Sequence, residues 1–182
     1  HQLIHFWMNG FIPLKIKRQF RDVEFIGGLL HDIGKMAMIQ FDPERYARSK
    51  ELIIEKGLTD LEAEMEVFGV THTTTGELIA RLWKLPKELQ DIVSSHHHPG
   101  LLTEGRELTA VIRVADVLCE VWGAGIDEGM RELQLLEEPA WIILCDKNPS
   151  LVDMDLEIFT FELEDEFRRA SSFLQQISQD AS

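Results

Sequence analysis

Residues 59–82, TDLEAEMEVFGVTHTTTGELIARL, decide the fold class. Leu61, Met65, Phe68, His72, Thr75, Ile79 and Leu82 recur at three- or four-residue steps, the spacing of one helix face. The preceding Thr59-Asp60-Leu61-Glu62 has the pattern of a capping box, in which the Thr and Glu side chains satisfy each other's backbone donors. The spacing predicts one long helix with His72 turned inward.

The same period continues on both sides. After Pro86, placed as a first helical residue, Leu89, Ile92, Val93, His96 and His97 form one stripe that ends at Pro99-Gly100. Leu108, Val111, Ile112, Ala115, Leu118, Cys119 and Trp122 form another, and Asp116 falls within it, so a carboxylate is turned inward. Upstream, Phe25, Ile26, Leu29, Leu30 and Ile33 predict a short apolar helix carrying His31-Asp32, followed by Gly34-Lys35. Helices are also predicted over residues 42–56, around 131–144 and over 151–177. The best strand signal, residues 141–145, lacks alternating flanks. The fold expected is an all-α helical bundle, with residues 1–126 forming the core and 127–182 adding helices to it.

The chain has 182 residues, enough for one sizeable core, with 45% hydrophobic and 27% charged residues. Its 18 Lys+Arg against 32 Asp+Glu give a net charge of −14, which repels phosphate backbones and anionic lipid. General nucleic-acid binding is therefore not expected. The basic residues within 15–21 read as a solvated helix face. No apolar run approaches the roughly 18 residues of a membrane span, and the charge order at the start is wrong for a secretory signal, so a cytoplasmic protein is expected. Two cysteines, Cys119 and Cys145, exclude a disulfide framework and read as buried small hydrophobes.

Burying a charge without a partner costs several kcal/mol or more, so inward His and Asp residues require a reason. His31-Asp32, His72, His96-His97 and Asp116 fall on four predicted helices, each on the buried side. Imidazole plus carboxylate is the donor set for Fe, Mn, Zn or similar divalent ions, and converging helices can close such a cage. Taken singly, each residue reads equally as a hydrogen-bonded core residue, a cap or a salt-bridge partner; the joint pattern points to one or two divalent metal ions.

Gly28-Leu29-Leu30-His31-Asp32-Ile33-Gly34-Lys35 resembles the signature of the HD superfamily of metal-dependent phosphohydrolases. The order His31-Asp32, His72, His96-His97, Asp116 is similar to the ligand order of its two-metal branch. More narrowly, residues 64–76 (EMEVFGVTHTTTG), 81–86 (RLWKLP), 95–99 and Val114-Ala115-Asp116 resemble the HDOD branch, HD-related output domains of bacterial signalling proteins. The resemblance implies an HD-type helical bundle and a divalent metal, Fe, Mn, Zn or Mg, held by His31, Asp32, His72, His96, His97 and Asp116. Two departures stand out. The family's first ligand, a His after Phe-Trp, is matched here by Asn9 after Phe6-Trp7, with His5 and His1 several residues early. The family also places a helical region before this point, so a longer parent protein is expected.

Two functions follow from the resemblance. As an HDOD output domain, the chain would contact signalling proteins or domains, with the metal stapling the bundle. As a phosphohydrolase, it would act on a phosphorylated small molecule or nucleotide, with Asp32 bridging two ions and Lys35 neutralising a substrate phosphate. Lys35 reads equally as a solvated lysine. Cyclic-di-GMP hydrolysis is disfavoured, because the Gly-Tyr-Pro that follows the paired histidines in those relatives is missing after His96-His97. His98 has no stripe position and is expected in solvent. The output domain is the preferred reading.

Overall fold

The computed structural model of the chain describes residues 23–123, 129 and 133–180. Among them every regular element is helical. Asn9, His5, His1 and the basic residues within 15–21 lie outside the described residues.

Helix α1 (Val23–Leu30) and α2 (Ile33–Phe41) are joined at His31-Asp32. Helix α3 (Pro43–Lys56) starts from Asp42, whose Oδ1 accepts from the Arg45 N–H at 2.9 Å. Helix α4 (Asp60–Phe68) carries the capping box expected of Thr59 and Glu62. Then come α5 (His72–Leu82), α6 (Lys87–Ser95) and the long α7 (Arg106–Val121). The chain closes with α8 (Pro139–Lys147) and α9 (Leu156–Asp180).

The single helix expected over residues 59–82 is two helices. Gly69 takes a left-handed conformation, φ 72°, that ends α4, and Thr71 then caps α5 through the Thr74 N–H. The break turns α4 about its axis relative to the stripe read across it. Met65 and Leu82 are exposed, while Asp60, Ala63 and Glu64 are buried. Further along, Pro86 is the cap of α6 rather than its first residue. The helix expected around 131–144 starts at Pro139 after a 3₁₀ turn, Leu135–Glu137, and the segment read as the best strand lies inside α8. The last helix begins at Leu156, behind another 3₁₀ turn, Pro149–Leu151.

The core centres on α7. Leu108, Val111, Ile112, Val114, Ala115 and Leu118 pack with Leu89 and Ile92 of α6, Trp141 and Leu144 of α8, and Phe159 and Leu163 of α9. A smaller cluster, Leu52, Ile53 and Ala63, joins α3 to α4. Cys119 and Cys145 are half-buried rather than buried, and burial lifts the Cys119 thiol to about 11. Among the described residues no helix is long and apolar enough to cross a membrane.

Helices α2 and α5 pack side by side, and the contact depends on Gly34. A Cβ built there would lie 1.9 Å from the His72 carbonyl oxygen. Without a side chain, Gly34 lets the turn that holds His31 and Asp32 abut the start of α5, where His72 stands.

Candidate metal centre

The donors stand mostly at helix ends, where side chains project beyond the backbone ladder. His31-Asp32 occupies the α1–α2 turn rather than a helix, His72 is the first residue of α5, and His96-His97 follow the last turn of α6. Asp116 alone sits in mid-helix, on α7. His98 is exposed, as expected.

His72 and His96 are both 0% exposed. The His72 Nε2 atom lies 3.4 Å from His96 Nε2, 3.1 Å from His97 Nε2 and 3.4 Å from Asp32 Oδ1. His96 Nε2 lies 3.6 Å from the same Asp32 oxygen. The other Asp32 oxygen faces His31 Nε2 at 3.5 Å, and His31 Nε2 is 3.3 Å from Asp116 Oδ1. Three overlapping donor groups result: His72-His96-His97 and His31-Asp32-His96 share His96, and Asp60-Glu64-His72 joins them through His72. The six residues singled out in the sequence therefore come together around Asp32.

The tautomers can be read from the partners. His31 Nδ1 donates to the Gly28 carbonyl at 2.8 Å and His96 Nδ1 to the Ile92 carbonyl at 3.1 Å. A neutral ring that donates through Nδ1 keeps its lone pair on Nε2. His97 Nε2 can donate one proton to His72, but the Nε2 atoms of His72 and His96 then face each other as two acceptors. His31 Nε2 and Asp32 Oδ1 are buried with no hydrogen-bond partner. These donors fit a metal. With Zn–N distances of about 2.0–2.1 Å, tetrahedral neighbours stand about 3.3–3.4 Å apart, close to the separations found here.

The charge states agree with the donor chemistry except at His31. Burial, aided by His96 and Arg113, holds the His97 imidazolium well below the usual histidine range, so the ring is neutral. Burial also lowers His96, with Asp32 opposing in part. For Asp32 burial favours the acid, but His96, His31 and Lys35 overcome it and hold the carboxyl far below the usual carboxylate range. Burial disfavours charge on His31 too, yet Asp116 and Asp32 lift it to about 9. Asp116 is held at about 2, against burial, by His31 and by Arg113, whose Nη1 donates to Oδ2 at 2.9 Å. A metal taking His31 as ligand would displace its proton.

Lys35 is not a solvated lysine. It is 0% exposed, and its Nζ lies 3.1 Å from Asp32 Oδ2 and 3.1 Å from Asp60 Oδ2. Asp60 and Glu64 were missed by the sequence reading, the first taken only as part of a cap. Their four-residue spacing on α4, with Glu64 eight residues before His72, was the available signal. On the outer side, Asp32 is 24% exposed, and a cavity of about 450 Å³ is lined by His97, His98, Arg113 and Asp60.

Among the described residues the fold is an all-helical bundle with a His/Asp cluster where its helices meet. The HDOD domain model matches residues 11–99. An "Uncharacterized protein" of Treponema pallidum (strain Nichols) is 24% identical over 94 residues, 51% of this chain and 18% of that protein. Among solved structures, an HDOD domain protein of unknown function from Geobacter sulfurreducens matches with TM-score 0.67 and 25% identity, over 80% of this chain and 50% of the other. The chain thus spans half or less of the length of these relatives. Residues 11–99, just under half of the chain, are similar to the HDOD family.

Proposed function

We propose that the chain is a signal-transduction output domain of the bacterial cytoplasm, organised around a divalent-metal centre and acting through contacts with signalling proteins or domains. The observation that carries the metal centre is the approach of the Nε2 atoms of His96 and His97 to that of His72, with Asp32 Oδ1 3.4 Å from His72 and 3.6 Å from His96. His31, Asp32, His72, His96, His97 and Asp116 would hold Fe, Mn, Zn or Mg. Such an ion supplies Lewis acidity and, in this reading, chiefly cross-links α5, α6, α7 and the α1–α2 turn.

Lys35 supports the regulatory reading over catalysis. An ammonium with no exposed surface, engaged by two carboxylates, is poorly placed to meet a substrate phosphate. A second reading, metal-dependent phosphohydrolase, draws on the partial exposure of Asp32 and the neighbouring cavity, because catalytic metal sites keep an open position. The test is incubation of the Mn- or Fe-loaded protein with phosphomonoesters, nucleotides and cyclic dinucleotides. No phosphate release is expected; turnover abolished by Asp32→Ala would make the chain a phosphohydrolase instead.

A further inference from the structure

We infer that Glu64 is a positioning residue that fixes which nitrogen of His72 faces the donor cluster, a role that rests on the metal-centre reading. Glu64 is 1% exposed and stands on α4, on the far side of the Gly69 break from His72. Its Oε2 accepts two hydrogen bonds from that one residue, from the backbone N–H at 2.7 Å and from Nδ1 at 2.8 Å. Asp60 Oδ2, at 3.8 Å from Nδ1, is too distant to take over this bond.

With Oε2 as the acceptor of both bonds, Nδ1 carries a proton and Nε2 is the nitrogen left to offer a lone pair. Nε2 is the atom that meets Asp32, His96 and His97. Because one oxygen holds both the backbone N–H and the ring, the start of α5 and the direction of the imidazole are set together. His31 and His96 take the same tautomer from backbone carbonyls, whereas His72 takes it from a carboxylate. A carboxylate partner makes the ring a more basic donor, so His72 is a stronger imidazole ligand than His31 or His96. The same two hydrogen bonds offset part of the cost of burying this carboxylate, whose Oε1 is buried with no hydrogen-bond partner.

The tautomer is read by long-range ¹H–¹⁵N correlation spectra of the metal-free whole chain at pH 8, with His72 assigned through His72→Gln. Zinc affinity is read by competition with a chromophoric chelator, for the wild type, Glu64→Gln and Glu64→Ala. In the wild type His72 is expected as the Nδ1–H tautomer. Glu64→Gln, whose amide oxygen still accepts, should keep that tautomer and lose less than about tenfold in affinity. Glu64→Ala should give mixed tautomers and lose roughly 10–100-fold. The inference is overturned by an Nε2–H ring or an imidazolium in the wild type, or by loss of the Nδ1–H tautomer in Glu64→Gln. A folded Glu64→Ala protein with unchanged tautomer and affinity overturns it as well. If Glu64→Ala does not fold, the wild type and Glu64→Gln decide. A wild type that shows the Nδ1–H ring but binds no zinc refutes the metal-centre reading instead.

Discussion

Lys35 has given up all its solvent, which a lysine does only when its charge is met inside the protein. Asp32 and Asp60 meet it, and Lys35 thereby joins the α1–α2 turn to the start of α4. Removing the ammonium would take a cationic partner from Asp60, a carboxylate 2% exposed. Lys35→Met should therefore destabilise the metal-free protein by about 3–5 kcal/mol in urea unfolding. Adding Asp60→Asn should recover part of that loss, because the two groups share one interaction. A cost below about 1 kcal/mol for Lys35→Met, or strictly additive effects of the two changes, would show that the pair does not hold the turn.

Between elements the critical contact is that of α2 with α5. A methyl group at Gly34 would meet the carbonyl of His72, a backbone group that cannot rotate away, so the helices must separate. Gly34→Ala should cost about 1–3 kcal/mol or more in thermal unfolding and weaken metal binding further, since His72 moves away from Asp32. Gly100→Ala, at a position with open space around it, is the control and should be close to neutral. Much of this level was legible in the sequence. Leu89, Ile92 and Val93 and the α7 residues Leu108, Val111, Ile112, Ala115 and Leu118 are buried as their spacing requires, and Asp116 within that stripe lies against His31. The α4–α5 break was not legible, because the apolar period runs unbroken through Gly69 and a single helical Gly costs only about 1 kcal/mol. Reading through it put Met65 inside and left Asp60 and Glu64 outside. Lys35 was missed for a related reason: lysine is almost never buried unless paired, and its second partner lies on the misread helix. The apolar residues Phe25, Ile26 and Leu29 are exposed, and α1 instead buries Glu24, Gly27 and Gly28, a face that hydrophobicity alone would not select.

For the molecule as a whole, an acidity of −14 does not stop at the surface. Asp32, Asp60, Glu64 and Asp116 gather around the imidazole cluster, and the cations paired with them are Lys35 and Arg113. With His31 protonated as well, one negative charge is left in excess, and two once an ion displaces that proton. The cluster sits where α2, α5, α6 and α7 meet, so an ion there stabilises the fold by binding it and not the unfolded chain. The most direct test is metal content together with melting. The whole chain, purified without added metal, is analysed for transition metals and then melted before and after removal of the ion by a chelator. About one equivalent or more is expected, together with a fall in Tm of roughly 5–10 °C on chelation, the shift that about 3 kcal/mol of ligand stabilisation gives in a protein of this size. Less than about a tenth of an equivalent, no uptake on reloading with Zn, Mn or Fe, and a melting curve indifferent to the chelator would contradict the account.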